Sequence, residues 1–224
     1  MSNSMLNAAI SAPLGLFETM RLDRAGQVLL LAYHLQRLAR SAQQLGFVFD
    51  QDAILRNLNP YLHQSYSQPQ RLKLSISKAG KVSVECSALA TTPQPVRIAI
   101  TSQPIHCDPL YLRHKTTVRT QWASGEKWLQ KHPTYFDLIY TDQYGALTEG
   151  GRSTLYVFQQ GKWFTPPLTQ ALLPGVYRNK LVAQGLVQEK TLYRTDLIHA
   201  DRIRVSNALR GWLDAYIDEL DVNV

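Results

Sequence analysis

The sequence predicts an α+β protein of two lobes, and three observations carry that expectation. Short runs at residues 71–77 and 81–86 have the two-residue period of half-buried strands. Leu35, Leu38, Ala42 and Leu45 recur at the three- and four-residue spacing of a helix. Strands and helices do not alternate regularly enough for a βαβ wind. At 224 residues, with 12 glycines, the chain is long enough to bury a substantial core.

In chain order, residues 16–22 and 27–31 flank the turn-rich tetrad DRAG, which predicts a β-hairpin. The helix through Leu35 and Leu45 follows and stops at Gly46. Residues 50–66 predict a second helix, interrupted at Pro60. The runs 71–77 and 81–86, joined through KAG, predict another hairpin, and 96–101 a further strand. From Gln103 to His114 two prolines and the lack of a period mark a connection, which divides the chain into residues 1–103 and 104–224. Beyond it we expect a helix over 122–130 and strands over 136–141 and 154–159, with QYGALTEGGRS between them as turn and loop. A helix over 177–184 and strands over 187–193, 202–206 and 212–216 complete the second lobe.

Several function classes are disfavoured by composition. The first dozen residues lack a basic start with a long apolar core, and the longest apolar run, 28–33, is too short to cross a bilayer, so the expectation is a soluble, cytoplasmic chain without a membrane partner. Cys86 and Cys107 sit in no metal-ligand spacing and lack the density of a disulfide scaffold. His34, His106, His114 and His132 form no ligand set with acids or cysteines, so no metal is expected. The formal charge of +7 is scattered and carries no aromatic stacking motif, which argues against nucleic acid. A small anionic ligand suits the excess at least as well as nucleic acid does, and an ordinary soluble basic surface suits it best.

Three separated pieces have the chemistry of one cofactor. Lys115, in LRHKTTVRTQW, precedes Glu149 by 34 positions, and the loop LLPGVYR follows Glu149. A lysine amine can form a Schiff base with an aldehyde, and cations such as Arg113 and Arg119 nearby favour its neutral form. A carboxylate can hold a protonated pyridine nitrogen, and a loop opening a helix can bind phosphate through free amides. Pyridoxal 5'-phosphate carries all three groups. Taken singly, a lysine is more often a solvated surface charge, LTEGG an ordinary hairpin loop, and LLPGVYR an ordinary loop-helix joint. Arg37, in HLQRL, is a candidate guanidinium for the phosphate, although a solvated helix face is the commoner fate. SNALRG, residues 206–211, suits a phosphate or substrate loop and equally a plain turn.

Together FETMR, AYHLQRLARSAQQLGF, HKTTVR, LTEGGRSTLYVF, TPPLTQALLPGVYR and SNALRG resemble the class IV, fold type IV pyridoxal-phosphate enzymes. The motifs run in family order over nearly the whole chain, and HKTTVR with EGGRS is most similar to the 4-amino-4-deoxychorismate lyases. The resemblance implies a two-lobed, D-amino acid aminotransferase-like fold, a homodimer, and functional coupling to aminodeoxychorismate synthase. It implies Lys115 as the Schiff-base lysine, Glu149 on the pyridine nitrogen, and Arg37 with the Val176 and Tyr177 amides on the phosphate. By the same resemblance, Asn207 and Ala208 would close the phosphate side.

The implied reaction releases pyruvate and 4-aminobenzoate, as in folate biosynthesis, with Lys115 moving the proton and Thr19 as a second proton donor. Arg21, Arg119 and Arg210 are candidates for the substrate carboxylates, because a guanidinium fork matches a carboxylate. The alternative is a class IV aminotransferase acting on a branched-chain or D-amino acid. The chain departs from the family where relatives have a glycine-aspartate-glycine stretch before FET, at Ser153-Thr154 where many have serine-asparagine, and at Thr120 where some transaminases have tyrosine.

Overall fold

Leu16, Glu18, Met20 and Leu22 are buried while Phe17, Thr19 and Arg21 between them are not, the alternation of a strand with one face on a core. This strand, β1 (Gly15–Leu22), opens the fold in a computed structural model that describes residues 14–224. The expectation about a leader in the first dozen residues lies outside the described residues.

The chain divides into two compact units. One runs to Ala90 and takes in His114–Thr120; the other comprises Thr91–Arg113 and Gln121–Val224. The chain thus crosses between the units three times. The reason is pairing: residues from Val96 onward join the second unit's sheet, whereas Thr116 bridges back to Leu16 of β1.

In the first unit β1 pairs antiparallel with β2 (Gln70–Ser77), which pairs with β3 (Val82–Ala88). Leu72, Leu74 and Ile76 join the buried face of β1 against Leu38 and Ala42 of α1 (Leu31–Leu45) and Ile54 and Leu58 of α2 (Gln51–Leu58). Helix α1 ends where Gly46 takes φ 65°, a left-handed turn that glycine adopts without strain. Asp50 caps α2 by accepting from the Ala53 amide at 2.9 Å. The second helix is shorter than expected, breaking into a 3-10 turn over Asn59–Tyr61 at the proline.

The hairpin expected across DRAG does not form. Asp23 accepts from the Ala25 and Gln27 amides and closes a tight turn, after which Val28 and Leu31 pack on the core and the chain enters α1. The partner of β1 is β2, far along the chain.

The second unit is built on an eight-stranded sheet. In chain order its strands are β4 (Val96–Pro104), β5 (Tyr135–Thr141), β6 (Leu147–Gly150), β7 (Thr154–Gln159), β8 (Lys162–Thr165), β9 (Val187–Glu189), β10 (Arg202–Asn207) and β11 (Gly211–Val222). They lie in the order β10-β11-β4-β5-β6-β7-β8-β9, and a further pairing of β10 with β7 closes six of them into a ring. Ile98, Ile139, Leu147, Leu155, Val157 and Val205 fill the enclosed core. On the other face, Leu138 and Tyr140 pack with Trp122 and with Leu129 of α4 (Ala123–Lys131). Helix α3 (Pro109–Arg113) lies in the expected connection, and α5 (Val176–Ala183) and α6 (Arg194–Ile198) complete the unit.

The loop expected over QYGALTEGGRS contains strand β6, in which Leu147 is fully buried and Glu149 pairs with Thr154. Tertiary pairing overrides the turn-like glycines there. The strand expected over 187–193 is only three residues long, and β8 and α6 were not expected from the sequence.

Candidate active site

Residues 115–117 run as a short edge segment beside β1. The Phe17 amide donates to the Lys115 carbonyl at 3.1 Å and the Thr117 amide to Gly15 at 2.8 Å. Thr116 is buried and its hydroxyl donates to the Val118 carbonyl at 2.9 Å. His114, also buried, meets the Ser41 hydroxyl of α1 at 2.9 Å, which fixes the segment to the helix layer. Lys115 therefore projects from a braced backbone, with its amine 4.5 Å from the centre of the Phe17 ring. Thr19 and Arg21 follow Phe17 on that same, incompletely buried face of β1. Arg119 is half-buried in the same segment.

Arg37 lies on the buried side of β1. Its Nε donates to Glu18 Oε1 at 2.8 Å and its Nη2 to Glu18 Oε2 at 2.5 Å, while His34 Nδ1 lies 2.7 Å from Oε2. The three groups are almost wholly buried. Burial alone would raise the Glu18 pKa, but Arg37 and His34 outweigh it and bring the carboxyl down to about 2. Any phosphate reaching Arg37 would meet a guanidinium whose plane Glu18 already fixes. The solvated helix face that is the commoner fate of such an arginine is not its place here.

In the second unit Glu149 is buried at 6 % exposure, and its Oε1 accepts from the Leu173 amide at 3.0 Å. That bond ties the carboxylate to the LLPG loop, so two of the sequence-selected pieces meet directly. Behind them Asp137 of β5, fully buried, accepts from the Ser153 hydroxyl at 2.6 Å and from the Arg152 and Leu138 amides at 3.1 and 2.9 Å. Burial raises its pKa against the opposing pull of these donors. A Cβ on Gly150 would stand 2.1 Å from Asp137 Oδ2, so only glycine fits. The turn after Glu149 is consequently held from below by one carboxylate.

Gly175 precedes α5, whose first intrahelical bond runs from the Asn179 amide to the Gly175 carbonyl and whose N-terminus has no side-chain cap. The Val176 and Tyr177 amides thus occupy the anion-attracting first turn. In SNALRG, Asn207 accepts from the Arg210 amide at 2.9 Å and donates to the Arg152 carbonyl at 3.1 Å. Ser206 shares a 2.7 Å bond with Tyr156, and Ala208 is half-buried. Arg210 donates to Thr92, and burial, then Arg152, lowers its pKa. SNALRG is therefore coupled through the Arg152 backbone to the turn that follows Glu149.

The first unit gathers Lys115, Thr19 and Arg21 on one sheet face and sets Arg37 on the opposite, buried one. The second gathers Glu149, the LLPG loop, Asn207 and Arg210 around residues 150–153. Glu18, His34, His114 and Asp137 escaped selection on chemical grounds. For Glu18 a signal existed: an acid in the buried phase of a strand requires a partner, and His34 and Arg37 stand one helical turn apart.

Comparison with known proteins gives a consistent set of likenesses. The family described as "Amino-transferase class IV" matches residues 15–215. A Schizosaccharomyces pombe protein named "Putative aminodeoxychorismate lyase" is 26% identical over 201 residues, covering 87% of this chain and 86% of its own. The solved structure titled as a "Putative amino-acid aminotransferase" from Mesorhizobium loti has a TM-score of 0.82 at 26% identity, over 92% of this chain and 100% of that one. The branched-chain aminotransferase of Thermoproteus uzoniensis, solved with norvaline, shares the fold at a TM-score of 0.80 and 19% identity, over 95% of this chain and 80% of its own.

Proposed function

Because this chain belongs to the amino-transferase class IV family, we propose that it is a pyridoxal-phosphate-dependent lyase that converts 4-amino-4-deoxychorismate into 4-aminobenzoate and pyruvate. The observation that carries this reading is the placement of Lys115: a braced lysine whose amine lies over Phe17, on a face where Thr19 is the next side chain. The likeness over 87% of the chain to a relative named as such a lyase supports the choice of reaction.

By chemical type, the donors in each unit suit the groups of the cofactor. Lys115 would hold its aldehyde carbon, Glu149 its ring nitrogen, and Arg37 with the Val176 and Tyr177 amides its phosphate, while Asn207 and Ala208 border the phosphate side. When bound, pyridoxal phosphate supplies an electron sink for a carbanion next to the substrate amine. The buried Glu149 carboxylate, oriented by the Leu173 amide, would hold the ring nitrogen in its protonated form. The Lys115 amine takes the proton from the amine-bearing ring carbon of the substrate. A proton is returned to the departing enolpyruvyl methylene by Lys115 or by the Thr19 hydroxyl, releasing pyruvate and leaving an aromatic ring. Arg21, Arg119 and Arg210 are the cations assigned to the substrate carboxylates. The same proposal has the protein acting as a cytoplasmic homodimer beside a synthase that supplies the aminodeoxychorismate.

A second reading, amino transfer from a branched-chain or D-amino acid, is favoured by the full-length likeness to the Mesorhizobium loti protein. It would use the same Lys115 amine to move the proton, with no enolpyruvyl group to release. Purified protein with pyridoxal phosphate should release 4-aminobenzoate from aminodeoxychorismate without a keto acid. Transfer from an amino acid to 2-oxoglutarate without aminobenzoate formation would replace the lyase by the transaminase.

A further inference from the structure

The open face of the first unit's sheet carries a graded set of side chains leading away from Lys115. Successive same-face positions on a strand lie about 7 Å apart. Phe17, beside Lys115, is followed by Thr19 opposite Lys73, and then by Arg21 opposite Arg71. Lys73 is neutralised by Glu85 of β3 at 3.1 Å, whereas Arg71 faces Ser87. Asp23, the next acid along the chain, turns its carboxylate to the Ala25 and Gln27 amides. Among the described residues, neither the Arg21 nor the Arg71 side chain makes a hydrogen bond or an ion pair.

Two like charges directly opposed on adjacent strands destabilise a sheet. Their placement together on the lysine-bearing face, with no acid paired to either, suits an anion that binds there. We propose that Arg21 and Arg71 form a two-arginine clamp for a substrate carboxylate remote from the reacting amine. Phe17 and Arg21 are about 14 Å apart along the backbone, and the reach of two long side chains shortens the gap between amine and guanidinium. The ligand class that fits is a cyclic amino acid with its carboxylate across a six-membered ring from its amine. The clamp rests on the assignment of Lys115 made above and adds Arg71 to it.

The test uses the full chain loaded with pyridoxal phosphate and two probes, 4-aminobenzoate and its neutral analogue 4-aminobenzamide, with affinities measured by titration calorimetry. The native protein should prefer the carboxylate, and Arg71→Gln should lose about tenfold or more of that preference. Its melting temperature should hold or rise, since a repulsion has been removed; a merely structural arginine would lower it. Arg71→Lys should restore part of the preference. An unchanged preference in Arg71→Gln, with borohydride still fixing the cofactor on Lys115, would overturn the clamp alone. Failure to fix the cofactor on Lys115 in the native protein would overturn the assignment beneath it and the clamp with it.

Discussion

Acid should loosen the first unit through Glu18, by an amount that the structure sets. The carboxyl titrates at an ordinary 4.5 when unfolded and at about 2 when held by Arg37 and His34. At about 1.4 kcal/mol per unit, the difference corresponds to about 3 kcal/mol of stability. Because the folded value is the lower one, that contribution is fully present above pH 4.5 and is lost as pH falls toward 2. Other carboxylates with lowered values, such as Asp196 and Glu189, titrate in the same region, so native protein alone cannot isolate Glu18. Glu18→Gln provides the difference. Urea unfolding at pH 7 should show the variant less stable by about 3 kcal/mol or more, because Arg37 loses its buried counter-charge. The gap between the two proteins should narrow steadily from pH 5 to pH 2.5. A gap that stays constant over that range would refute the linkage, and a variant as stable as the native protein at pH 7 would refute the buried ion pair itself.

Lys115→Ala should abolish both product formation and borohydride-stable attachment of pyridoxal phosphate, as read by intact mass, while leaving the circular dichroism unchanged. Gly150→Ala drives a Cβ into Asp137 and should cost about 2 kcal/mol or more in chemical unfolding, together with weakened cofactor binding as the turn after Glu149 shifts. Ser41→Ala removes the hydroxyl that meets buried His114 and should cost about 1 kcal/mol; a raised KM without a stability change would argue against the anchoring role.

Where structure is local, the sequence reading succeeded. The KAG turn carries Gly80 at φ 81° between two alternating runs, and Gly46 stops α1 where the helical period ends. It failed where a partner strand decides the outcome. The stretch after DRAG alternates well enough for a strand, yet β2 claims β1 from a distance. LTEGG reads as a turn because its glycines and acid are turn residues, but β5 and β7 flank it and draw it into the sheet. Lys115 and Glu149 were selected from the sequence because their motifs run in order along the chain. Asp137 was not, since one acid in a strand of apolar neighbours gives no hint that a glycine thirteen residues later must make room for it.

Residues 114–120 belong to a unit whose remaining part ends at Ala90. The first unit is therefore complete only after the chain has left it, laid down β4 and α3, and come back. On the ribosome, the edge of β1 at Gly15–Phe17 must wait for Thr116 and Thr117 to emerge before it is covered. A fragment cut at Ala90 would keep the hydrophobic layer but have a bare strand edge and no lysine over Phe17. Lys115 thus arrives in the closing segment of its own unit, so that the proposed cofactor attachment would report that the chain has made its return.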